Sequence, residues 1–99
     1  MFLMYPRQNV QKSYIYSIVQ KNANGRINHV SENQQPFAPD SENGRKTMMN
    51  RIQMVNRLEA GKRPEERNKY AICVQVLGMS DKLWFNSAGQ SVSQDEAFD

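Results

Sequence analysis

The stretch KYAICVQVL, residues 69 to 77, leaves this chain few ways to fold. It alternates with period two: Tyr70, Ile72, Val74 and Val76 fall on one side, Ala71, Cys73, Gln75 and Leu77 on the other. Aromatic and β-branched enrichment makes it a strand. Apolar side chains stand on nearly both faces, so the strand belongs in the middle of a sheet.

The rest of the chain supplies its neighbours. KSYIYSIVQK, residues 12 to 21, alternates too, with Tyr14, Tyr16 and Ile18 opposite Ile15, Ser17 and Val19. NANG follows, and Asn24-Gly25 is a hairpin signal because both residues tolerate positive φ. RINHV reads as the return strand, which gives a β-hairpin over 13–31. Residues 31–44 read as a loop, since Pro36 and Pro39 forbid regular pairing there. Phe37, between the prolines, is expected to plug that loop into the core. Beyond the central strand, KLWFN is a strand, SAGQ a tight turn, and SVS a short last strand. QDEAFD, residues 94–99, reads as a frayed acidic tail.

Between the two strand groups lies NGRKTMMNRIQMVNRLEAGKRP, residues 43 to 64. Asp40 or Ser41 can cap a helix here, with Glu42 near its positive end. Gly61 stands at the C-terminal cap position and Pro64 just beyond. At 100° per residue, Met48, Met49, Ile52, Met54, Val55 and Leu58 cover more than half the circumference, wider than the usual apolar stripe of roughly 100°. The remaining arc is a ridge of Lys46, Asn50, Gln53 and Arg57. Arg51 and Glu59 lie inside the apolar arc, with stems along it and charged heads in water. PEER, at 64–67, adds one helical turn. The order β-β-α-β-β, with room for a fifth strand, predicts a single α+β domain over 1–99: one main helix on an antiparallel sheet of four to five strands.

Composition narrows the function classes. The chain has 99 residues, enough for a modest core and too few for a deep cleft between lobes. Asn and Gln supply nineteen residues. Residues 1–67 hold eleven Lys and Arg against six Asp and Glu, whereas residues 68–99 hold two against four. That basic bias favours phosphate or an acidic partner but is sparse for a strong nucleic-acid binder. Cys73 is the single cysteine and His29 the single histidine. One Cys and one His lack the third orienting group of a catalytic set and the ligand number of a structural zinc site. No glycine-rich phosphate loop is present. MFLMYP is apolar too briefly for a signal peptide, and no run approaches the ~18 apolar residues of a membrane span. The expectation is a cytoplasmic, non-enzymatic protein with no catalytic residue, metal or cofactor.

Two binding readings follow. In the first, the broad methionine face and the adjacent Trp84-Phe85 exceed what one small sheet can cover, and adaptable methionine surface suits a protein interface. The anchors are Met49, Met54, Trp84 and Phe85, with Arg51 and Arg57 at the rim. The partner is another protein, one that handles nucleic acid, or a second copy of the chain. An accessory protein or inhibitor of the kind a phage or mobile element encodes fits this character. In the second, the helix contacts DNA or RNA directly: Lys46, Asn50, Gln53 and Arg57 read base edges, Arg45 and Arg63 hold phosphates, and Tyr14 and Tyr16 stack. The competing structural reading gives the ridge to solvent and the methionines to a core thickened by Phe37 and MFLMYP.

Overall fold

A computed structural model describes residues 12–77 and 79–99. The strands are β1 (Tyr14–Lys21), β2 (Ile27–Gln35), β3 (Lys69–Val76), β4 (Lys82–Phe85) and β5 (Ser91–Val92). They form one antiparallel sheet in the order β2-β1-β3-β4-β5, so the strand apolar on both faces is indeed central. The main helix, α1 (Glu42–Glu59), connects β2 to β3. A 3-10 turn at Pro64–Glu66 and a short helix, α2 (Gln94–Ala97), complete the described elements.

Register assigns the two faces. Ile18 pairs with Ile72, Tyr16 with Val74, and Ile72 with Phe85. These five side chains meet Met48 and Ile52 of α1 to form the larger core cluster. On the reverse face Val19 pairs with Ala71, and Cys73 with both Ser17 and Trp84. That face holds a second cluster of Val19, Ala71, Cys73 and Phe98. The sheet therefore has apolar cover on both sides, as β3 demands.

The second cover corrects the reading of residues 94–99 as a frayed tail. Ser93 accepts a hydrogen bond from the Glu96 N–H at 3.2 Å and caps α2. Phe98 is buried, with its ring 5.5 Å from Trp84 in an edge-to-face arrangement. Lys69 Nζ donates to the Phe98 and Asp99 carbonyls at 3.2 and 2.6 Å. An apolar ring one residue past a capped turn outweighs the acidic character around it.

β2 is also longer than expected. It runs on to Gln35, through residues assigned to the loop. Those residues are polar, so hydropathy gives no strand signal; an edge position lets polar side chains face water while the backbone pairs with β1. Pro36 then ends the pairing. A bulge lies opposite Ile18/Val19, where Ser31 pairs with Ile18 and His29 with Val19, leaving Val30 extra. The bulge changes the alternation. Ser31, Asn33 and Gln35 share the α1 face, whereas Ile27 packs with the reverse cluster.

Helix α1 begins as expected and ends otherwise. Ser41 is its N-cap and accepts from the Gly44 N–H at 3.0 Å. Gly61 does not adopt the left-handed conformation of a glycine cap; among the described residues only Gly25 and Gly89 have positive φ. Instead, 3-10-type bonds tighten the end, with Ala60 N–H on the Arg57 carbonyl and Lys62 N–H on that of Glu59. Arg67 then donates to the Ala60 and Lys62 carbonyls at 3.1 and 2.8 Å. A cationic side chain thus takes up the free carbonyls that glycine geometry would have served.

Candidate functional site

Only a narrow line of α1 enters the core: Gly44, Met48, Ile52 and Glu59, with Val55 half-buried beside them. The helix packs chiefly over β3 and β1. Two predicted apolar positions consequently face water, Met54 at 63% exposure and Leu58 at 75%. Glu59 is the converse correction. Its side chain is largely withdrawn from water, at 6% exposure, and its carboxylate accepts from Tyr70 Oη at 2.9 Å, Lys62 Nζ at 3.1 Å and the Asn68 N–H at 3.3 Å. Gln20 Nε2 donates to Tyr70 Oη at 3.0 Å, which extends the network to β1. Burial alone would raise the Glu59 pKa, but the hydrogen bonds from Tyr70, Lys62 and Asn68 outweigh it and hold the carboxyl below its usual range.

Because α1 sits toward β3, a groove opens between it and β2. Its volume is about 520 Å³, and Ile18, Val30, Met54 and Val55 give it an apolar lining. Arg51 spans it. With the Asn33 amide turned so that its oxygen faces the guanidinium, that oxygen accepts from Arg51 Nη1 and, at 2.9 Å, from Nη2. Asn33 is neutral, so this contact orients the arginine without cancelling its charge. Lys46 pairs with Glu42 at 3.4 Å, and both are exposed. Arg45, Arg51 and Arg57 make no ion pair among the described residues.

The predicted anchors separate into two groups. Met54 and Arg51 line the groove, whereas Arg57 stands on the outer side of the helix with Gln53, Asn56 and Ala60. Met49 is half-buried, close enough to Gly89 that a Cβ there would lie 3.4 Å from its Cγ. Phe85 is a core residue at 4% exposure, and Trp84 is half-buried with its ring against Phe98. The pair thus splits between the two faces of the sheet, Phe85 into the larger cluster and Trp84 onto the reverse one. Phe37 is partly buried; its carbonyl accepts the Tyr16 hydroxyl, so the backbone helps tie the loop down. The other proposed cover, MFLMYP, lies outside the described residues.

The nucleic-acid ridge is on the surface: Arg45, Lys46, Asn50, Gln53, Arg57 and Arg63 are all exposed. Its stacking pair is not fully so: Tyr14 is half-buried. Tyr16 is buried at 2%, and burial first, then the neighbouring Tyr14 and Asp40 charges, push its pKa up to about 12. Cys73 is buried under α2, and burial raises its thiol pKa, a shift partly opposed by Lys82. His29 is exposed on β2, with β1 between it and the strand of Cys73. Among the described residues no group of three His, Cys, Asp or Glu is placed to hold a metal ion, and no helix is long and apolar enough to cross a membrane.

A second opening lies on the far side of α1. Tyr14, Val76, Leu83 and Phe85 line it, with Arg45 and Asp40 at its mouth and a volume of about 630 Å³. The groove beside β2 differs in joining exposed Met54 to the outermost strand of the described sheet. Compared with protein-family models, curated proteins and solved structures, the chain matches none of them.

Proposed function

We propose that this protein is a small non-enzymatic docking module that binds another protein through the flank of α1 facing β2. The supporting observation is the exposure of Met54 and Leu58, at 63% and 75%, one helical turn apart. With exposed Val30 of β2 beside Met54 they form a contiguous apolar patch, the kind of surface that marks an interaction site. Arg51 and Arg57 border the patch, an arrangement of apolar anchors with a basic rim. An accessory or inhibitory protein acting on a nucleic-acid-handling partner, the kind a phage or mobile element carries, is the role that suits such a module. A cytoplasmic setting belongs to the same proposal.

The test is affinity purification from the native host with the wild-type chain and a Met54→Lys, Leu58→Lys double variant side by side. The expected result is one host protein in near-stoichiometric yield with wild type and at least tenfold less with the variant. Equal recovery by both would overturn the docking surface.

The exposed ridge favours one second reading, direct binding of DNA or RNA through Arg45, Lys46, Asn50, Gln53, Arg57 and Arg63. Such binding weakens steeply with salt, in proportion to the phosphates contacted. Arg45→Glu, which lies away from the Met54 groove, would abolish a mobility shift on this reading and leave protein docking through Met54 unchanged.

A further inference from the structure

The open side of β2 and the apolar groove run along the same line. Among the described residues β2 is the outermost strand, and none of them pairs with its outer side. Edge strands are ordinarily blunted by shortness, lysine, proline, bulges or a covering segment. β2 has nine residues, contains no lysine, and meets proline only after its end. Its one interruption is the bulge at Val30. From Ser31 to Gln35 the pairing with β1 is unbroken, so the opposite side presents a regular row of backbone donors and acceptors.

A strand laid against that row places alternate side chains on the α1 face. There the rim of β2 is low, because Ser31 is the nearest side chain, and beyond it lie Ile18, Val30, Val55 and Met54. Arg51 is the single charged residue lining this groove. We propose that Ser31–Gln35 captures an extended segment of a partner protein by strand addition, with an apolar side chain in the groove and a carboxylate on Arg51. This rests on the docking function above and specifies the chemistry of the partner.

Charge complementarity selects that occupant. A second copy pairing through its own β2 would offer Ser31, Asn33 and Gln35 on this face, all polar and none acidic. Nucleic acid would bring phosphates to an apolar lining, and buried Tyr16 offers bases no stacking surface. An acidic-apolar extended peptide satisfies the backbone row, the groove and the arginine together.

The test is selection of a displayed random twelve-residue peptide library on the full-length purified chain, followed by affinity measurement of the enriched peptides by fluorescence anisotropy. The expected consensus has an apolar residue and an Asp or Glu two positions apart, on one face of a strand. N-methylation of the peptide at alternate amides should weaken binding at least tenfold in one phase and little in the other. Arg51→Glu should weaken it at least tenfold, and Lys in place of the peptide's acid should restore binding to that variant. Circular dichroism of Arg51→Glu separates this from unfolding. Failure to enrich any sequence overturns the proposal, as does binding indifferent to N-methylation. A consensus with helical spacing, lost in Met54→Lys, Leu58→Lys, also overturns strand addition but leaves the docking function standing. Displacement of the peptide by a single-stranded oligonucleotide with no effect of Arg51→Glu overturns the assigned occupant. The docking function fails separately, when the double variant recovers its host partner unchanged.

Discussion

Gly44 lies in the first turn of α1, where propensity alone favours alanine by about 1 kcal/mol. Its surroundings reverse that preference. A Cβ at this position would overlap the Ala38 carbonyl oxygen and stand 3.0 Å from Ser41 Oγ, the capping atom. Gly44→Ala is therefore expected to destabilise the fold by about 1–3 kcal/mol, the usual range for overpacking, read as a lower urea midpoint. Two ionisable residues set the pH limits. Tyr16 has a folded-state pKa raised from 10.0 to about 12, so its contribution is complete below pH 10 and is lost as pH climbs through about 12. Glu59 has a lowered pKa, so its contribution is complete above its ordinary 4.5 and is lost as pH falls through the lower folded value. Urea midpoints across pH should therefore drop at both ends. Tyr16→Phe should flatten the alkaline limb and Glu59→Gln the acid one, each leaving the other limb in place.

At the scale of elements, the two hairpin turns share one construction. Asn22 Oδ1 accepts from the N–H groups two and four residues on, and Gly25 adopts φ 79°. Asn86 Oδ1 does the same for Ala88 and Gln90, and Gly89 adopts φ 80°. The pattern Asn-x-x-Gly was present in both sequences; reading Asn24-Gly25 as a two-residue turn hid the resemblance, since Gly25 alone uses positive φ. The last element, α2, carries a sharper consequence. Phe98 is its one apolar hold on the sheet besides Ala97, and it shields Trp84. Phe98→Ala should detach α2, move the Trp84 emission to longer wavelength in the native state, and cost up to about 3 kcal/mol. An unchanged emission maximum would show that Trp84 owes its cover to something else.

At the scale of the whole molecule, two apolar clusters sandwich one sheet, and the patch at Met54 and Leu58 belongs to neither. Met54→Lys and Leu58→Lys should accordingly leave stability within about 0.5 kcal/mol, as surface substitutions do. A larger loss in thermal denaturation would mean that these side chains support the fold. The sequence by itself determined the periodic elements: the central β3, the β1 alternation, the Ser41-capped helix and the α+β order. Each follows from local spacing, which repeats along the chain and needs no knowledge of neighbours. Only the tertiary structure decided which apolar residues are core. Met48 and Met54 look alike on a helical wheel, yet one is fully buried and the other 63% exposed. The difference arises because α1 sits toward β3, and where a helix rests on a sheet depends on contacts between residues far apart in the chain. The same long-range packing buried Glu59 and Phe98, half-buried Trp84, extended β2 along the edge of β1, and left the groove open.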